Sequence, residues 1–522
     1  MEVELSRVTG QGAGGIMKLW SFSGGIHLSG HKSISTGQPV RNLATPRRVI
    51  LPLQQHIGVA AEPVVSVGDS VYKGQLVASA PSFISAHVHA SVSGRVIDIG
   101  DYSLPHPSGI AEKCIVIESD GEERWSPDIT PQLNPEALPV EQLRELIRNA
   151  GIVGLGGAVF PSAAKLSPPR EIDTLIINGV ECEPYITCDD MLMRSRADAV
   201  ISGTLLLQRI VSAKRCLIAV EDNKPEALST LRSAVEAVVG SHTMDLEVVA
   251  IPTVFPAGGE KQLVKVLTGR EVPERGLPYE VGAVCLNVGT TAAVYDAVYL
   301  GRPLVSRLVT VTGPGIKAPG NFEVPLGTPV SDLLAAAGGV CHEQVELIMG
   351  GPMMGYQLPS DQVMIVKGSN CILVQPVAAS LPDPMPCIRC GSCTSACPMQ
   401  LLPQQLYWHA RGKGFDKLEH YSLDSCIECG CCAVVCPSNI PLVSYFRFAK
   451  SEIADQKLRR QKADESRIRN EARNIRLEAI KREREARKSR RTKAGRAAKT
   501  PPAAKPVVDG NDVASSSAAG AS

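Results

Sequence analysis

The chain has 522 residues, 44% of them hydrophobic and 20% charged, with many glycines and few aromatics, the profile of a globular protein of about three to four domains. No apolar run approaches the roughly 18–20 residues needed to cross a bilayer, and no charged segment followed by an apolar core marks a secretory signal. A net charge of +1 hides a division: residues 450–499 carry 19 Lys and Arg against 8 Asp and Glu, a net of +11, while residues 1–449 sit at −9.

Residues 1–16 precede the first patterned segment and are read as an extension without consequence. Residues 58–99 read as short strands joined by turns. VVSVGDSVYKGQLVA (64–78) followed by AHVHASVSGRVIDI (86–99) places turn chemistry at Gly68-Asp69 and Gly74, with alternating valines as an inward face. The V-x-x-G-D-x-V-x-x-G-Q pattern resembles lipoyl/biotinyl barrel-sandwich modules, so residues 1–130 are expected to form one. Carriers of that kind attach their cofactor to a lysine at the hairpin tip; no lysine lies between Lys73 and Lys113, which argues against a swinging arm. His87 and His89 share one strand face and are read as structural or surface residues in preference to metal ligands.

From residue 131 to 300 helix and strand alternate. VEQLRELIRNAG (140–151), RADAVISGTLLLQRIV (196–211), KPEALSTLRSAVEAVVG (224–240) and GGEKQLVKVLTG (258–269) have helical spacing. Between them DTLIING (173–179), RCLIAV (215–220) and DLEVVAI (245–251) read as buried strands. This rhythm predicts a parallel α/β sheet with a ligand crevice at the carboxyl ends of its strands. GLGGAVFPSAAKL (154–166) supplies Gly154, Gly156 and Gly157, whose backbone can approach a phosphate closely, and Lys165 as a point charge. The DTLIING strand then delivers NGVECEP (178–184) to the same end of the sheet. Glu181 and Glu183 could equally be solvated loop carboxylates.

Residues 301–375 contain two strands, a turn-rich stretch and a small-residue helix, and resemble the β-grasp module called SLBB. In residues 376–449, CIRCGSCTSACP (387–398) and CIECGCCAVVCP (426–437) each read C-x-x-C-x-x-C-x-x-x-C-P, the spacing of two-cluster bacterial ferredoxins. Three cysteines of one run and the last of the other hold each cluster. That assigns Cys387, Cys390, Cys393 and Cys436 to one 4Fe–4S centre, and Cys426, Cys429, Cys432 and Cys397 to the second. Zinc knuckles also use C-x-x-C pairs, yet four-ligand zinc gives no reason for the third step and C-P in both runs. With 16 cysteines in a chain lacking an export signal, metal ligation in a reducing compartment is expected, not disulfides. Cys431 falls off the ligand spacing and reads as a packed thiol. Cys114, Cys182, Cys188, Cys216, Cys285, Cys341 and Cys371 are expected to be buried small hydrophobes.

The tail divides into a charged helix-former (450–499) and a Pro/Ala/Ser/Gly end (500–522) too poor in apolar surface to order itself. A basic stretch suits an anionic membrane surface or an acidic partner, or is simply a solvated helix. Nucleic acid is not expected, since the stretch has no aromatics for stacking.

GLGGAVFPSAAKL with NGVECEP resembles the G-x-G-G-x-G-F-P…K and N-A-D-E-x-E-P signatures of the NADH-binding flavoprotein subunit of respiratory complex I. FPAGGEK (255–261) is similar to that family's Y-x-x-G-E-E segment and LNVGTT (286–291) to its N-N-V-E-T. Val159, Val180, Gly259 and Gly289 depart from those patterns. Together with GGIHLSGHK (24–32), GGPMMG (350–355) and the double cysteine run, the order of modules resembles the RnfC (RsxC) family of the Rnf/Rsx ion-translocating electron transport complexes over residues 17–449. The resemblance implies that Gly154, Gly156, Gly157, Lys165, Asn178, Glu181, Asn287 and Thr290 surround a flavin mononucleotide (FMN). It implies that Phe160, Glu183 and Glu260 face the nicotinamide nucleotide, NAD(H). It further implies integral membrane subunits as partners, ferredoxin as a further one, and a peripheral place on the cytoplasmic face of a bacterial inner membrane.

NADH gives up two electrons at once while a 4Fe–4S centre accepts one, so a flavin between them is the expected divider. The chain is read as an electron-transfer oxidoreductase subunit, with a multidomain α/β and β fold ending in a helical two-cluster ferredoxin domain and a basic tail. Two alternatives stay open: a non-catalytic iron–sulfur relay with a decayed flavin site, which the departures at Val180, Gly259 and Gly289 motivate, and a reductase module for a redox-sensing regulator.

Overall fold

The computed structural model describes residues 19–239, 245–377 and 383–497. The extension at 1–16 and the low-complexity end at 500–522 lie outside the described residues. Met1–Ala449 and Lys450–Ser522 form separate compact units.

In the first unit four sheets are present among the described residues. Strands Arg48–Pro52, Ala111–Ser119, Gly94–Ser103 and Ser70–Val71 make one antiparallel sheet, and Glu62–Pro63, Leu76–Ser79 and Val88–His89 make a second. Val49, Leu51, Val71, Val77, Val88, Val96, Ile115 and Ile117 fill the space between them. This is the two-layered sandwich that the alternating valines predict. His89 is buried, and desolvation lowers its pKa to about 3; His87 is lowered in the same direction and accepts from the Ala80 N–H at 3.2 Å. Both rings are neutral structural groups.

The α/β region is a parallel sheet ordered Asp245–Ile251, Arg215–Glu221, Thr174–Gly179, Ala283–Asn287. Strand Thr174–Gly179 is a buried β-branched and leucine run, as a strand covered on both faces requires. Helix Val140–Asn149 turns Leu143 and Ile147 fully inward, worth about 1.5–3 kcal/mol per side chain. Helix Glu260–Thr268 ends where Gly269 takes φ 71°, a conformation that costs glycine nothing. In strand order the chain reverses direction between Thr174–Gly179 and Ala283–Asn287, whose last residues, Asn178 and Asn287, are direct neighbours. A crevice opens at such a reversal.

A six-stranded mixed sheet follows, ordered Arg41–Asn42, Gly320–Pro325, Ser306–Thr312, Cys371–Pro376, Val345–Met349, Tyr356–Gln357, with helix Val330–Ala336 against it. The first strand comes from far upstream, so residues near the N-terminus complete this β-grasp sheet. The cysteine runs sit among short helices, Ser392–Ser395, Pro403–Arg411, Phe415–His420 and Cys431–Val434. Helix Leu442–Ala497 starts inside the first unit, where Phe446 and Ala449 are buried. From Lys450 its residues are mostly exposed, charged and without an apolar stripe. No helix among the described residues is long and apolar enough to cross a membrane.

Candidate functional site

The glycine-rich loop lies against the strand reversal. Its shape is fixed locally: the Gly154 N–H donates to the Phe160 carbonyl at 2.8 Å and the Val159 N–H returns to the Gly154 carbonyl at 3.1 Å. Val159 is thereby held at φ 44°, a left-handed conformation that a β-branched residue adopts only under constraint. Two anchors hold the loop from behind. The buried Thr290 hydroxyl accepts from the Leu155 N–H at 2.8 Å, and the buried Arg307 guanidinium donates to the Leu155 carbonyl at 2.8 Å. Gly156, Gly157 and Ala158 are exposed, and among the described residues their N–H groups have no protein acceptor. Gly157 sits at φ 100° with open space where a Cβ would be, while a Cβ on Gly156 would press on Asn287 at 3.3 Å. Three outward N–H groups at a strand-to-helix edge are a cradle for a phosphate.

Asn178 and Asn287 form the floor. Asn178 donates to the Gly258 carbonyl at 2.9 Å, tying the FPAGGEK loop to the NGVECEP turn. Asn287 caps helix Val288–Tyr299 by accepting from Gly289 at 2.8 Å, and donates to Asp189 at 2.6 Å. Desolvation, then the neighbouring Glu181 charge, raises the Asp189 carboxyl to about 7. Glu181, Cys188 and Asp189 place three potential ligand atoms within 4.8 Å of one another. Glu181 is already spent, however: its carboxylate accepts from the Asp189 N–H at 2.8 Å and the Asp190 N–H at 3.3 Å, capping helix Cys188–Ser195.

The residues expected to face a nicotinamide nucleotide are arranged differently from one another. Glu260 forms an ion pair with Lys165 at the start of its helix. Phe160 stays half-buried beside the glycine loop. Glu183 points to the β-grasp side and accepts from the Met353 N–H at 2.7 Å and the Met354 N–H at 3.1 Å, and burial raises its pKa. A Cβ on Gly351 would sit 2.2 Å from the Glu183 Cγ, which is why GGPMMG carries glycine there. Of the sequence-predicted set, the structure therefore gathers Gly154, Gly156, Gly157, Asn178, Asn287 and the Lys165–Glu260 pair at one crevice, and uses Thr290, Glu181 and Glu183 to brace it.

Sequence reasoning missed four supports. Lys32 donates to the carbonyls of Glu181 (2.7 Å), Glu183 (3.0 Å) and Ile186 (2.7 Å). Lys224, buried and paired with Glu221 at 2.5 Å, reaches the Glu181 carbonyl as well. Arg307 and Asp189 complete the set. Only Lys32 had a visible sign, as the last residue of GGIHLSGHK; the others sit in ordinary helix and strand contexts.

Two cavities receive the cysteines. One, of about 350 Å³, is lined by Cys397, Cys426, Cys429 and Cys432; the other, of about 380 Å³, by Cys387, Cys390, Cys393 and Cys436. The last cysteine of each run thus joins the other run's loop, and four sulfurs around a mostly apolar space fit a 4Fe–4S cube. The two loops share a backbone: Arg389 and Glu428 lie at φ 58° and 57°, Gly391 and Gly430 at 82° and 83°. Cys431 is fully buried and lines neither cavity, as its spacing predicts. Among the other cysteines, Cys114, Cys188, Cys216, Cys285 and Cys371 are buried and Cys182 half-buried, but Cys341 is exposed. It falls in the turn after Gly339, outside the sheet that covers its neighbours.

The first cavity lies next to the crevice. Phe255, at the start of FPAGGEK, packs with Ala396, Cys429 and Cys431, and Cys182 and Met353 lie against the same group. A Cβ on Gly430 would be 3.1 Å from the Met353 carbonyl, whose own N–H binds Glu183. The second cavity is lined only by residues 387–442.

A barrel-sandwich, a flavin-type α/β domain, a β-grasp and a paired cluster fold, in this order, define a flavin and iron–sulfur protein. Family models agree with each part: the RnfC barrel sandwich hybrid domain over residues 20–122, the Nuo51 FMN-binding domain over 147–296, the SLBB domain over 308–357 and the 4Fe-4S dicluster domain over 386–440. The chain is 48% identical over 464 residues to the RnfC-type subunit of the ion-translocating oxidoreductase complex of Pseudomonas aeruginosa, covering 88% of this chain and 59% of that one. It is 45% identical to the corresponding subunit of Haemophilus influenzae strain PittEE (88% and 70% covered) and 45% identical to that of Serratia proteamaculans (91% and 67%). The chain thus spans between 59% and 70% of the length of these relatives. It belongs to the RnfC family of ion-translocating oxidoreductase complexes. A solved NAD+-reducing NiFe-hydrogenase overlaps 57% of this chain and 63% of its own at 18% identity and a TM-score of 0.44.

Proposed function

We propose that this chain is the peripheral, NADH-linked electron-transfer subunit of a membrane complex that couples electron flow to ion movement. Its partners in this reading are integral membrane subunits and a ferredoxin, at the cytoplasmic face of a bacterial inner membrane. The observation that carries it is the packing of the Phe255 loop between the crevice and the Cys397/Cys426/Cys429/Cys432 cavity. Bound FMN would accept two electrons from NADH and release them singly toward a one-electron cluster. The chain's own residues supply the rest. The N–H groups of Gly156, Gly157 and Ala158 and the Lys165 ammonium bind the phosphate. Asn178 and Asn287 hold the floor of the crevice, and Glu183 fixes the GGPMMG loop beside the cluster. Electrons then pass from the flavin-side cluster to the one held by Cys387, Cys390, Cys393 and Cys436.

A second reading is favoured by specific contacts: Lys165 is neutralised by Glu260, and Glu181 and Glu183 are both consumed by backbone N–H groups. In that reading the chain is an iron–sulfur relay without flavin chemistry. Anaerobic reconstitution separates the two. The full chain with FMN should show a flavin band bleached by NADH together with two clusters' worth of iron and acid-labile sulfide. Clusters without a flavin band at saturating FMN would establish the relay, and zinc in place of iron would end both.

A further inference from the structure

The two cysteine loops are superposable in register, at an offset of 39 residues. Arg389 matches Glu428, Gly391 matches Gly430, and Gln400 at φ 54° matches Asn439 at 49°. One pair in this register differs in chemistry. Ser392 and Cys431 each follow the left-handed glycine and each open a short helix, Ser392–Ser395 and Cys431–Val434. Neither side chain lines a cavity, so neither belongs to a ligand set. Both instead turn back on the middle cysteine of their own loop: the Ser392 hydroxyl hydrogen bonds to Cys390, and the Cys431 thiol to Cys429. Cys431 is fully buried, with the Phe255 carbonyl as a second, more distant acceptor at 4.0 Å. Ser392 is exposed.

We propose that Ser392 and Cys431 are matched positioning residues that set the two clusters at different potentials, the hydroxyl holding the outer cluster above the flavin-side one. The inference rests on the reading above that each cavity holds a 4Fe–4S cluster. A hydrogen bond to a cluster sulfur stabilises the extra negative charge of the reduced state and so raises the potential. An O–H is a strong donor and an S–H a weak one, so the outer cluster gains more. Burial acts in the same sense. Cys429, Cys432 and Cys397 are 6%, 8% and 9% exposed, while Cys390 is exposed to water. Reduction therefore costs more on the flavin side. Electrons consequently settle on the cluster farther from the crevice, where a partner can collect them. A serine in place of Cys431 would flatten that step.

Redox titration of the reconstituted full chain, followed by electron paramagnetic resonance, tests this with four variants. Cys431→Ser should raise the potential of one cluster only, and Cys431→Ala should lower that same cluster. Ser392→Ala and Ser392→Cys should lower the other cluster, alanine further than cysteine. Iron and sulfide content should match the wild type in all four. Full cluster content with no shift, shifts of both clusters together, or shifts opposite in sign to these would overturn the proposal. Iron lost from the Cys431 variants alone would also overturn it, by making Cys431 a ligand or a packing requirement. Wild-type protein that takes up no clusters would instead remove the functional reading on which it rests.

Discussion

Lys367 is a buried amine with two carbonyl partners. Its Nζ donates to His87 at 2.6 Å and to Gly151 at 2.7 Å, joining the barrel-sandwich, the flavin-type domain and the segment after the β-grasp helix. Burial lowers its pKa from 10.5 to about 7, and its charge in turn lowers His56, His87 and His89. A neutral amine has two N–H groups, enough for both carbonyls. The unfolded chain holds the proton up to about pH 10.5, whereas the folded chain releases it near 7. Below 7 both states are charged and folding bears the full cost of a buried cation. Between 7 and 10.5 the unfolded state binds more protons, so this residue makes stability rise with pH, by up to about 1.4 kcal/mol per pH unit. Lys367→Met should therefore remove an upward slope of melting temperature against pH that the wild type shows above 7. Parallel slopes in the two proteins would show that the amine does not titrate there.

At the scale of elements, the segment 24–36 is a strap that sets distances between cofactor loops. Gly25 bonds to the Ala396 carbonyl at 3.1 Å, Ile26 exchanges bonds of 2.9 and 3.0 Å with Phe255, and Tyr185 donates to Gly30 at 2.7 Å. Lys32 gathers the 181–186 loop, and Asn321 of the β-grasp sheet donates to Ser35 at 3.0 Å. Gly24 is where the strap comes nearest the cluster fold. At φ 67°, a Cβ there would lie 2.6 Å from the Cys397 carbonyl carbon, so any side chain must push the strap or Cys397 aside. Gly24→Ala should cost the flavin-side cluster while the outer one survives, so that iron content falls by about half. Gly37→Ala is the control, because its φ is −76° and nothing lies within 4 Å of the added methyl. Equal iron in both variants would mean that the strap does not position Cys397.

For the molecule as a whole, the division after Ala449 separates a body with a continuous core from a helix whose side chains are almost all exposed. A chain ended at Ala449 keeps Phe446 and Ala449 in the core and should retain its melting temperature and cluster content. The cations of 450–497 make no apolar contact that would insert into lipid, so any membrane attraction is electrostatic, about 1 kcal/mol per favourably placed Lys or Arg at low salt. Truncation should abolish salt-sensitive sedimentation with anionic vesicles. Undiminished sedimentation would assign membrane binding to the body.

The alternation of helix and strand from 140 to 269 was legible because the periodicity of apolar residues is a local property, and the structure places each of those elements within a few residues. The cysteine runs were legible for the same reason: ligand spacing on one loop is written in consecutive residues. The flavin-type crevice was legible in part. Gly154, Gly156 and Gly157 declared themselves through glycine's backbone freedom, but Glu181 and Glu183 looked like ligand-facing carboxylates and instead accept from backbone N–H groups. Arg307 and Lys367 showed no local sign, and Lys32 only its place in GGIHLSGHK, since each acts on carbonyls more than a hundred residues away. The sequence alone determined which chemistry the chain can hold, because side-chain type and short spacing decide what binds phosphate or iron. Only the tertiary structure decided which cluster neighbours the crevice and which carboxylates remain free, because those depend on long-range approach of segments that no local pattern records.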